Sequence, residues 1–313
     1  MECSSRCWRW ISGRTVLITL LVAGAAGCSP DPGPDRGPAA ANVPTAGFDH
    51  AALADVLRRF VDADSRVDYA GLRADPGSLQ LYVASLAETS PDSRPGRFHG
   101  EADRLAYWIN AYNALVIEGL TRYPGARSPL AILPDAGFFR QLTFTLGGEA
   151  MTLDHLENVI LRGRFHDPRL HFALVCGARS CPKLWPEPYS AEKLDRQLDL
   201  AARLFFAQPD NLEFVPDSRT IRVSRYLDWY SDDFRSWIRE HPATLPAAGE
   251  DGAPVSYALN YTLPARSRQL RTALDGGWSV AYSVYDWTLN DQALDDSQSW
   301  HPPASDDASA IRP

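Results

Sequence analysis

The residues best suited to chemistry in this sequence lie in one stretch, RLHFALVCGARSCP, which runs from Arg169 to Pro182. It contains His171, Cys176 and Cys181. A thiolate beside a histidine base is the arrangement of thiol-dependent acyl transfer, whereas two nearby cysteines outside the cytoplasm favour a disulfide. The stretch is therefore either a reactive thiol with its base or a buried strand that ends in a bridged turn.

The alternation of side chains along the predicted strand HFALVC separates the histidine from the first cysteine. Successive side chains of a strand point to opposite faces, and His171 and Cys176 are an odd number of positions apart. A direct Cys176–His171 pair is therefore disfavoured. Cys181 lies in the following loop near Arg179 and stays a candidate nucleophile, because a nearby cation can lower the pKa of a thiol.

The two cysteines leave several alternatives open. A Cys176–Cys181 bridge would close a small loop and stabilise the fold by about 2 kcal/mol through loop entropy. Two unbonded thiols, or a nucleophilic Cys181 or Cys176, are the alternatives. The C-x₄-C spacing comes with no second cysteine pair and no histidine at ligand spacing, so it is a weak signal for a metal site. We predict a disulfide, and we expect no metal and no cofactor.

A carboxylate interrupts the apolar stripe of the predicted helix LDHLENVILR. Glu157 falls inside that stripe, and a buried carboxylate without a partner would cost several kcal/mol. Arg169 and His171 are the nearest candidate partners along the chain. One interpretation is a polar site of these three residues that faces Asn110 and Asn113 on an earlier helix. The other is a structural Glu157–Arg169 ion pair beside a satisfied core histidine.

The N-terminal segment has the pattern of a secretory signal. Basic residues precede TVLITLLVAGAA, an apolar stretch of about twelve residues, which is too short to span a bilayer. It ends in A-A-G-C, which is similar to the lipobox of bacterial lipoproteins. We therefore expect residues 1–27 to be a lipoprotein signal peptide and Cys28 to be lipidated. Ser29, in place of aspartate, favours the outer membrane, with the protein facing the periplasm.

Charge argues against a nucleic-acid partner. Removing residues 1–27 takes three arginines and Glu2 from 31 basic and 39 acidic residues, which changes the formal charge from −8 to −10. An acidic surface repels phosphate backbones. Cys3 and Cys7 would leave with the signal, so Cys176 and Cys181 would be the remaining unlipidated cysteines. The expected membrane partner is the bilayer itself, through the acyl chains on Cys28.

Composition divides the rest of the chain into three parts. Residues 28–47 are rich in Pro, Gly and Ala and predict an extended tether. Residues 48–293 predict one α+β domain, in which a helical first half packs on a small, mainly antiparallel sheet. Residues 294–313 are polar and predict a disordered tail, with Trp300 as the one residue that favours docking. A hairpin is predicted at Gly147-Gly148.

Four motifs resemble a known family. YWINAYNAL, DPRLHFALVCGARSCPKL, YLDWYSDDF and VYDWTLN occur in the order typical of the family called domain of unknown function 547, over about Val67 to Asn290. The resemblance implies no established activity. The family is in turn similar to papain/transglutaminase-like proteins, which implies a helix-borne cysteine and a strand-borne histidine. Here Asn110 or Asn113 stands where that cysteine is expected, so the site is degenerate or a loop thiol has replaced it.

Two functions follow, and the sequence leaves catalysis open. The favoured one is an uncharacterised envelope lipoprotein domain that holds a peptide or glycan without catalysis, with Trp185, Trp229, Tyr230 and Trp287 as candidate stacking residues. The alternative is a thiol-dependent acyl-transfer or peptidase-like hydrolase. In that alternative His171 is the base, Glu157 or an asparagine orients it, and Cys181 is the nucleophile. A redox carrier is weaker, because the spacing is not C-x-x-C.

Overall fold

A computed structural model describes residues 47–242, 252–295, 297, 299 and 300. The predicted signal peptide, the lipidation site at Cys28 and nearly all of the predicted tether lie outside these residues, as does most of the predicted tail. Among the residues that the model describes, no helix is both long enough and apolar enough to cross a membrane.

The first part of the domain is helical, as predicted. It comprises α1 (Ala51–Phe60), α2 (Tyr69–Ala74), α3 (Gly77–Glu88) and α4 (Glu101–Thr121). The apolar residues of α1 recur at helical spacing and are buried. Helix α2 begins at Tyr69, directly after Asp68. Asp68 caps it by accepting a hydrogen bond from the Gly71 amide at 2.7 Å, which satisfies a free N–H of the first turn.

Helix α4 is the centre of the structure. Every residue from Leu105 to Ile117 is buried, so the helix is surrounded by other elements, as its apolar sequence predicts. It packs against α2, α3 and the helical segment that carries Glu157. Asn110, Tyr112 and Asn113 therefore project from the middle of the core.

The predicted hairpin follows the short helix α5 (Gly137–Arg140). Strands β1 (Thr143–Leu146) and β2 (Glu149–Thr152) pair antiparallel around Gly147 and Gly148. Both glycines have positive φ, 58° and 91°, which a tight two-residue hairpin turn requires. Thr152 then caps the next helix by accepting a hydrogen bond from the His155 amide at 3.1 Å.

The helix that carries Glu157 has a wider turn in its middle. It runs through α6 (Leu153–His155), a π-helical segment (Leu156–Leu161) and α7 (Arg162–Phe165). A π segment inserts extra chain into a helix and shifts the side chains that follow it around the axis. Glu157 is buried among apolar neighbours, whereas Arg162 reaches a separate carboxylate.

The predicted strand HFALVC is not a strand. Pro168–Phe172 form a 3₁₀ helix, capped by the Asp167 side chain at the Arg169 amide. Beyond it, the backbone forms hydrogen bonds with the side chain of Asn113, where a strand would bond a neighbouring strand. Its Nδ2 donates to the Ala173 carbonyl at 2.9 Å, and its Oδ1 accepts from the Val175 amide at 3.0 Å. The alternation argument about His171 and Cys176 therefore does not apply.

The second part supplies a mixed three-stranded sheet. Helix α8 (Leu194–Ala207) leads to β3 (Leu212–Val215) and β4 (Thr220–Val223), which pair antiparallel; β5 (Ser279–Tyr282) pairs parallel to β4. The remaining helices are α9 (Tyr226–Trp229), α10 (Ser231–Glu240), α11 (Ala253–Ser256) and α12 (Pro264–Asp275). The α+β prediction is confirmed, with two small sheets in place of one.

The last strand, β5, is short. Only Ser279–Tyr282 of WSVAYSVYDWTLN pair in the sheet. The remainder runs beside the cysteine loop, where the Arg179 amide donates to the Thr288 carbonyl at 2.8 Å. Trp300 lies on the same part of the fold: its side chain packs partly against the core and its amide donates to Thr288 Oγ1 at 2.6 Å.

Candidate functional site

A group of buried polar side chains meets at the centre of the domain. With Leu174, six residues line a cavity of about 10 Å³; we call these six the inner cluster: Tyr112, Glu157, His171, Cys176, Tyr226 and Tyr230. They come from α4, the π-helical segment, the 3₁₀ helix, the cysteine loop and α9 with the residue after it. Two of the predicted site residues, Glu157 and His171, are therefore brought together.

Glu157 is held by two tyrosine hydroxyls. Its side chain is 3% exposed. Tyr112 donates to Oε2 at 2.7 Å and Tyr230 donates to Oε1 at 2.8 Å. Burial raises the pKa of Glu157, and the two hydroxyl donors and the charge of Arg162 oppose that rise. The carboxylate is therefore satisfied by neutral donors, and the predicted ion pair with Arg169 is wrong.

His171 is fixed by a carboxylate that lies 62 residues further along the chain. Its Nε2 lies 2.8 Å from Asp233 Oδ2, and its ring stacks on Tyr230 with centroids 3.8 Å apart. Burial lowers the pKa of His171, and the Asp233 carboxylate acts in the opposite direction. Since an ionised carboxylate can only accept, Nε2 carries the hydrogen and Nδ1 is the basic nitrogen of the neutral ring.

Asp233 links the histidine to an arginine near the surface. Burial alone would raise the pKa of Asp233, but the hydrogen bonds from His171 and Arg162 outweigh it and hold the pKa below its usual value. Arg162 donates through Nε at 2.8 Å and Nη2 at 3.1 Å. Arg162 therefore holds the Asp233 carboxylate in place, and Asp233 in turn fixes the orientation of the His171 ring.

Arg169 and the two asparagines are placed differently from the predicted polar site. The Arg169 guanidinium pairs with Asp167 at 2.8 Å and with Asp195 and Asp199 at 2.7 Å each. Asn110 exchanges two hydrogen bonds with the Tyr189 backbone, at 2.8 and 2.9 Å. Like Asn113, it fastens a distant backbone segment to α4, so these three residues serve the fold and do not complete a site around Glu157.

Cys176 and Cys181 form the predicted disulfide, with sulfurs 1.98 Å apart. Gly177 makes the turn possible: its φ is +81°, and a β-carbon there would lie 2.3 Å from Leu120 Cδ1. Cys176 faces the inner cluster, whereas Cys181 is partly exposed. In the bridged state Cys181 is not a free thiol. It therefore cannot act as the nucleophile that the hydrolase hypothesis requires.

The two sulfurs are surrounded by hydrogen-bond donors. The Tyr285 hydroxyl lies 3.2 Å from Cys176 Sγ and 3.3 Å from Cys181 Sγ. The Cys176 amide donates to Cys181 Sγ at 2.9 Å, and the Tyr226 hydroxyl lies 3.9 Å from the same sulfur. Disulfide sulfurs are weak acceptors, so this many donors around one bridge is unusual.

An open cleft lies on the other side of the disulfide. We call it the outer cleft; its volume is about 320 Å³. Cys181 forms part of its wall, next to basic, acidic and amide side chains that include Arg66, Arg179, Lys183, Asp210 and Asn211. Within the described residues, no group of three or more His, Cys, Asp or Glu side chains is arranged to hold a metal ion.

Sequence reasoning missed the roles of the residues that contact the inner cluster and the disulfide, although Tyr230 was considered for stacking. Tyr112, Tyr230, Asp233 and Tyr285 all lie within the motifs quoted above, YWINAYNAL, YLDWYSDDF and VYDWTLN. Their polar and aromatic residues were the available signal. Their pairing could not be inferred, because it joins segments more than 40 residues apart, as in the Tyr112–Glu157 and Tyr230–Glu157 bonds.

One family model matches a segment of the chain that contains part of this site. The model of a family described as "Protein of unknown function, DUF547" matches one segment of the chain. Residues 97–206 match DUF547. The DUF547 segment includes Glu157, His171 and both cysteines, but it ends before Tyr230 and Asp233. No curated protein and no solved structure gave a match. The family description carries no activity, so function is argued from the site.

Proposed function

We propose that this protein is a non-catalytic binding domain of the cell envelope that holds a peptide or a glycan in the outer cleft. The observation that carries the proposal is the contrast between the two sides of the disulfide. On one side the histidine, the carboxylates and Cys176 are enclosed; on the other side a polar cleft is open.

The inner cluster is too small for a substrate. A cavity of about 10 Å³ is at the lower limit for one water molecule. His171 is 2% exposed and Cys176 is 1% exposed. A small-molecule site ordinarily measures about 300–1,000 Å³, which the outer cleft, at about 320 Å³, just reaches.

The lining of the outer cleft suits a ligand rich in polar groups. Basic side chains, acidic side chains and the amides of Gln208 and Asn211 are all present, which offers both donors and acceptors to peptide bonds or sugar hydroxyls. Three of the aromatic residues considered for stacking, Trp229, Tyr230 and Trp287, are buried in the core. Recognition would therefore depend on hydrogen bonds and charge.

The location at the envelope is the second part of the proposal. It rests on the signal-like segment and on Cys28, to which acyl chains would attach the domain by the tether that follows. Labelling cells with radioactive palmitate tests it. The label should enter the wild-type protein and be lost in Cys28→Ser; a soluble product cleaved at another position would contradict lipidation.

A thiol-dependent hydrolase is the second candidate, and one observation favours it. Cys176, His171 and Glu157 line the same cavity, so opening of the disulfide would leave a thiol beside a histidine that Asp233 orients. This function requires both reduction and a wider cavity. Hydrolysis of amide or ester substrates by the reduced protein, lost in His171→Ala, would favour it over simple binding.

Titration with soluble peptidoglycan fragments tests the binding proposal, because these fragments carry both glycan and peptide. Lys183→Ala should weaken binding about tenfold, the loss expected for one hydrogen bond to a charged group. Lys193→Ala is the matched control, since Lys193 is exposed, pairs with Glu187 and does not line the outer cleft. Failure to bind, or equal effects of the two substitutions, would contradict the proposal.

A further inference from the structure

We propose that the Cys176–Cys181 bridge is an exchange disulfide: a cysteine thiol of a peptide in the outer cleft attacks Cys181, and Cys176 is the leaving group. This is a covalent activity beyond reversible binding. It uses the same cleft, but it requires neither a glycan nor tight non-covalent affinity.

The first argument is the unequal access to the two sulfurs. Cys176 is 1% exposed and faces the inner cluster, whereas Cys181 is partly exposed and forms part of the wall of the outer cleft. Disulfide exchange begins with attack of a thiolate on one sulfur and depends on access to it. Cys181 is therefore the sulfur that an incoming thiolate reaches.

The second argument is the donor placed at the leaving group. The Tyr285 hydroxyl lies 3.2 Å from Cys176 Sγ, and burial raises the pKa of Tyr285 well above its usual value, so the hydroxyl keeps its proton. A hydrogen bond to a thiolate is stronger than one to a disulfide sulfur, because the acceptor is charged. Tyr285 therefore stabilises Cys176 more as it leaves than while it is bridged.

The third argument concerns the other sulfur in the reduced form. Cys181 Sγ accepts from the Cys176 amide at 2.9 Å and lies 3.3 Å from the same Tyr285 hydroxyl. The single Tyr285 proton can turn to whichever sulfur carries the charge. Lys183 adds a positive charge to the cleft. Donors and cations around a thiol favour its thiolate form. Each of the two sulfurs therefore has neighbours that stabilise it as a thiolate.

The reaction balances in two steps. The incoming thiolate forms a bond to Cys181 Sγ, the Cys176–Cys181 bond breaks, and Cys176 leaves as a thiolate that takes a proton from solvent. A second thiol of the same peptide then attacks its own sulfur in the mixed disulfide, and Cys181 leaves as a thiolate. The peptide dithiol is oxidised to a disulfide, and the Cys176–Cys181 pair is reduced by two electrons.

The test uses the full-length oxidised protein and a synthetic peptide with two cysteines. Released thiols are alkylated at successive times and located by peptide mass spectrometry, so that Cys28 is counted separately, while circular dichroism reports folding. We expect reduction of the folded protein, with the intermediate mixed disulfide carrying the peptide on Cys181 and never on Cys176. A bridge that opens only after unfolding, or a peptide disulfide on Cys176, would overturn the proposal.

Tyrosine variants separate the chemistry from stability. Tyr285→Phe keeps the ring, removes the hydroxyl and should slow reduction by the peptide about tenfold. Tyr107→Phe is the matched control: it removes a buried hydroxyl that donates to the Thr89 carbonyl and, within the described residues, makes no hydrogen bond to a sulfur. Equal rates in Tyr285→Phe and wild type would overturn the exchange mechanism. Loss of exchange with peptidoglycan binding intact would leave the binding proposal standing.

Discussion

Glu157 shows how a buried carboxylate can be satisfied without a cation in direct contact. Two tyrosine hydroxyls donate to its two oxygens, and Arg162, whose positive charge acts on it, pairs with Asp233. Neutral donors stabilise an ionised carboxylate less than an ion pair does. The effect of burial on the pKa of Glu157 is therefore larger than the opposing effect of the two hydroxyls and Arg162, and the pKa is raised.

The raised pKa of Glu157 predicts a pH-dependent contribution to stability. The unfolded-state pKa is close to 4.5, and a group with a higher folded-state pKa stabilises the fold below 4.5 and loses that contribution as pH rises through the folded pKa. We compare wild type with Glu157→Gln by urea unfolding between pH 4.5 and 8. The wild-type free energy of unfolding should fall relative to the variant as pH rises, by about 1.4 kcal/mol for each unit of raised pKa. A relative increase would show that the ionised carboxylate is the stabilised form.

The contribution of Asp233 to stability has the opposite pH dependence to that of Glu157. Its lowered folded-state pKa means that its stabilisation is present above the unfolded value of 3.8 and is lost as pH falls. Asp233→Asn should lower the free energy of unfolding at pH 7 by about 1–3 kcal/mol, because it weakens the bonds from Arg162 and His171. Asp232→Asn is the control, since that side chain is 96% exposed and its Arg235 partner is 3.6 Å away; it should change stability by less than about 0.5 kcal/mol. Equal losses would contradict the assigned role.

Among the elements, the segment from Ala173 to Val175 depends most on distant contacts. The Ala173 and Leu174 amides donate to the Leu170 carbonyl, whereas the Ala173 carbonyl and the Val175 amide bond the side chain of Asn113 on α4. Asn113→Ala should leave one buried carbonyl and one buried amide without partners and lower the free energy of unfolding by about 2–4 kcal/mol. Chemical denaturation measures the loss. Gln141→Ala, an exposed position whose side-chain amide donates to the Pro134 carbonyl, should cost far less; a similarly small cost at Asn113 would contradict the account.

The sequence predicts those elements whose stabilising contacts are local. The helical first half and the Gly147-Gly148 turn were predicted, because their determinants lie within a few residues of one another. The 3₁₀ helix at Pro168–Phe172 was not predicted, because apolar alternation suits a strand equally well and the deciding contacts come from α8 and α10. The disulfide was predictable from spacing; the tyrosines around it were not.

At the scale of the whole molecule, the disulfide separates an enclosed polar centre from an open cleft. Tyr285 lies against both sulfurs, and α4, α9 and the cysteine loop meet at the inner cluster. Binding, thiol hydrolysis and disulfide exchange make different demands on this bridge. The binding proposal assigns it the oxidised state, and the hydrolase proposal requires both cysteines to be permanently reduced. The exchange proposal requires the bridge to be reduced while the protein stays folded.

Alkylation of the non-reduced protein tests the central claim most directly. The folded protein is treated with iodoacetamide before any reductant is added, and the peptide that spans Arg169 to Pro182 is weighed by mass spectrometry. The account predicts that neither Cys176 nor Cys181 is modified until a dithiol is added, after which both are modified in the folded protein. Alkylation of either cysteine in the untreated protein would reveal a free thiol and contradict the closed bridge on which the account depends.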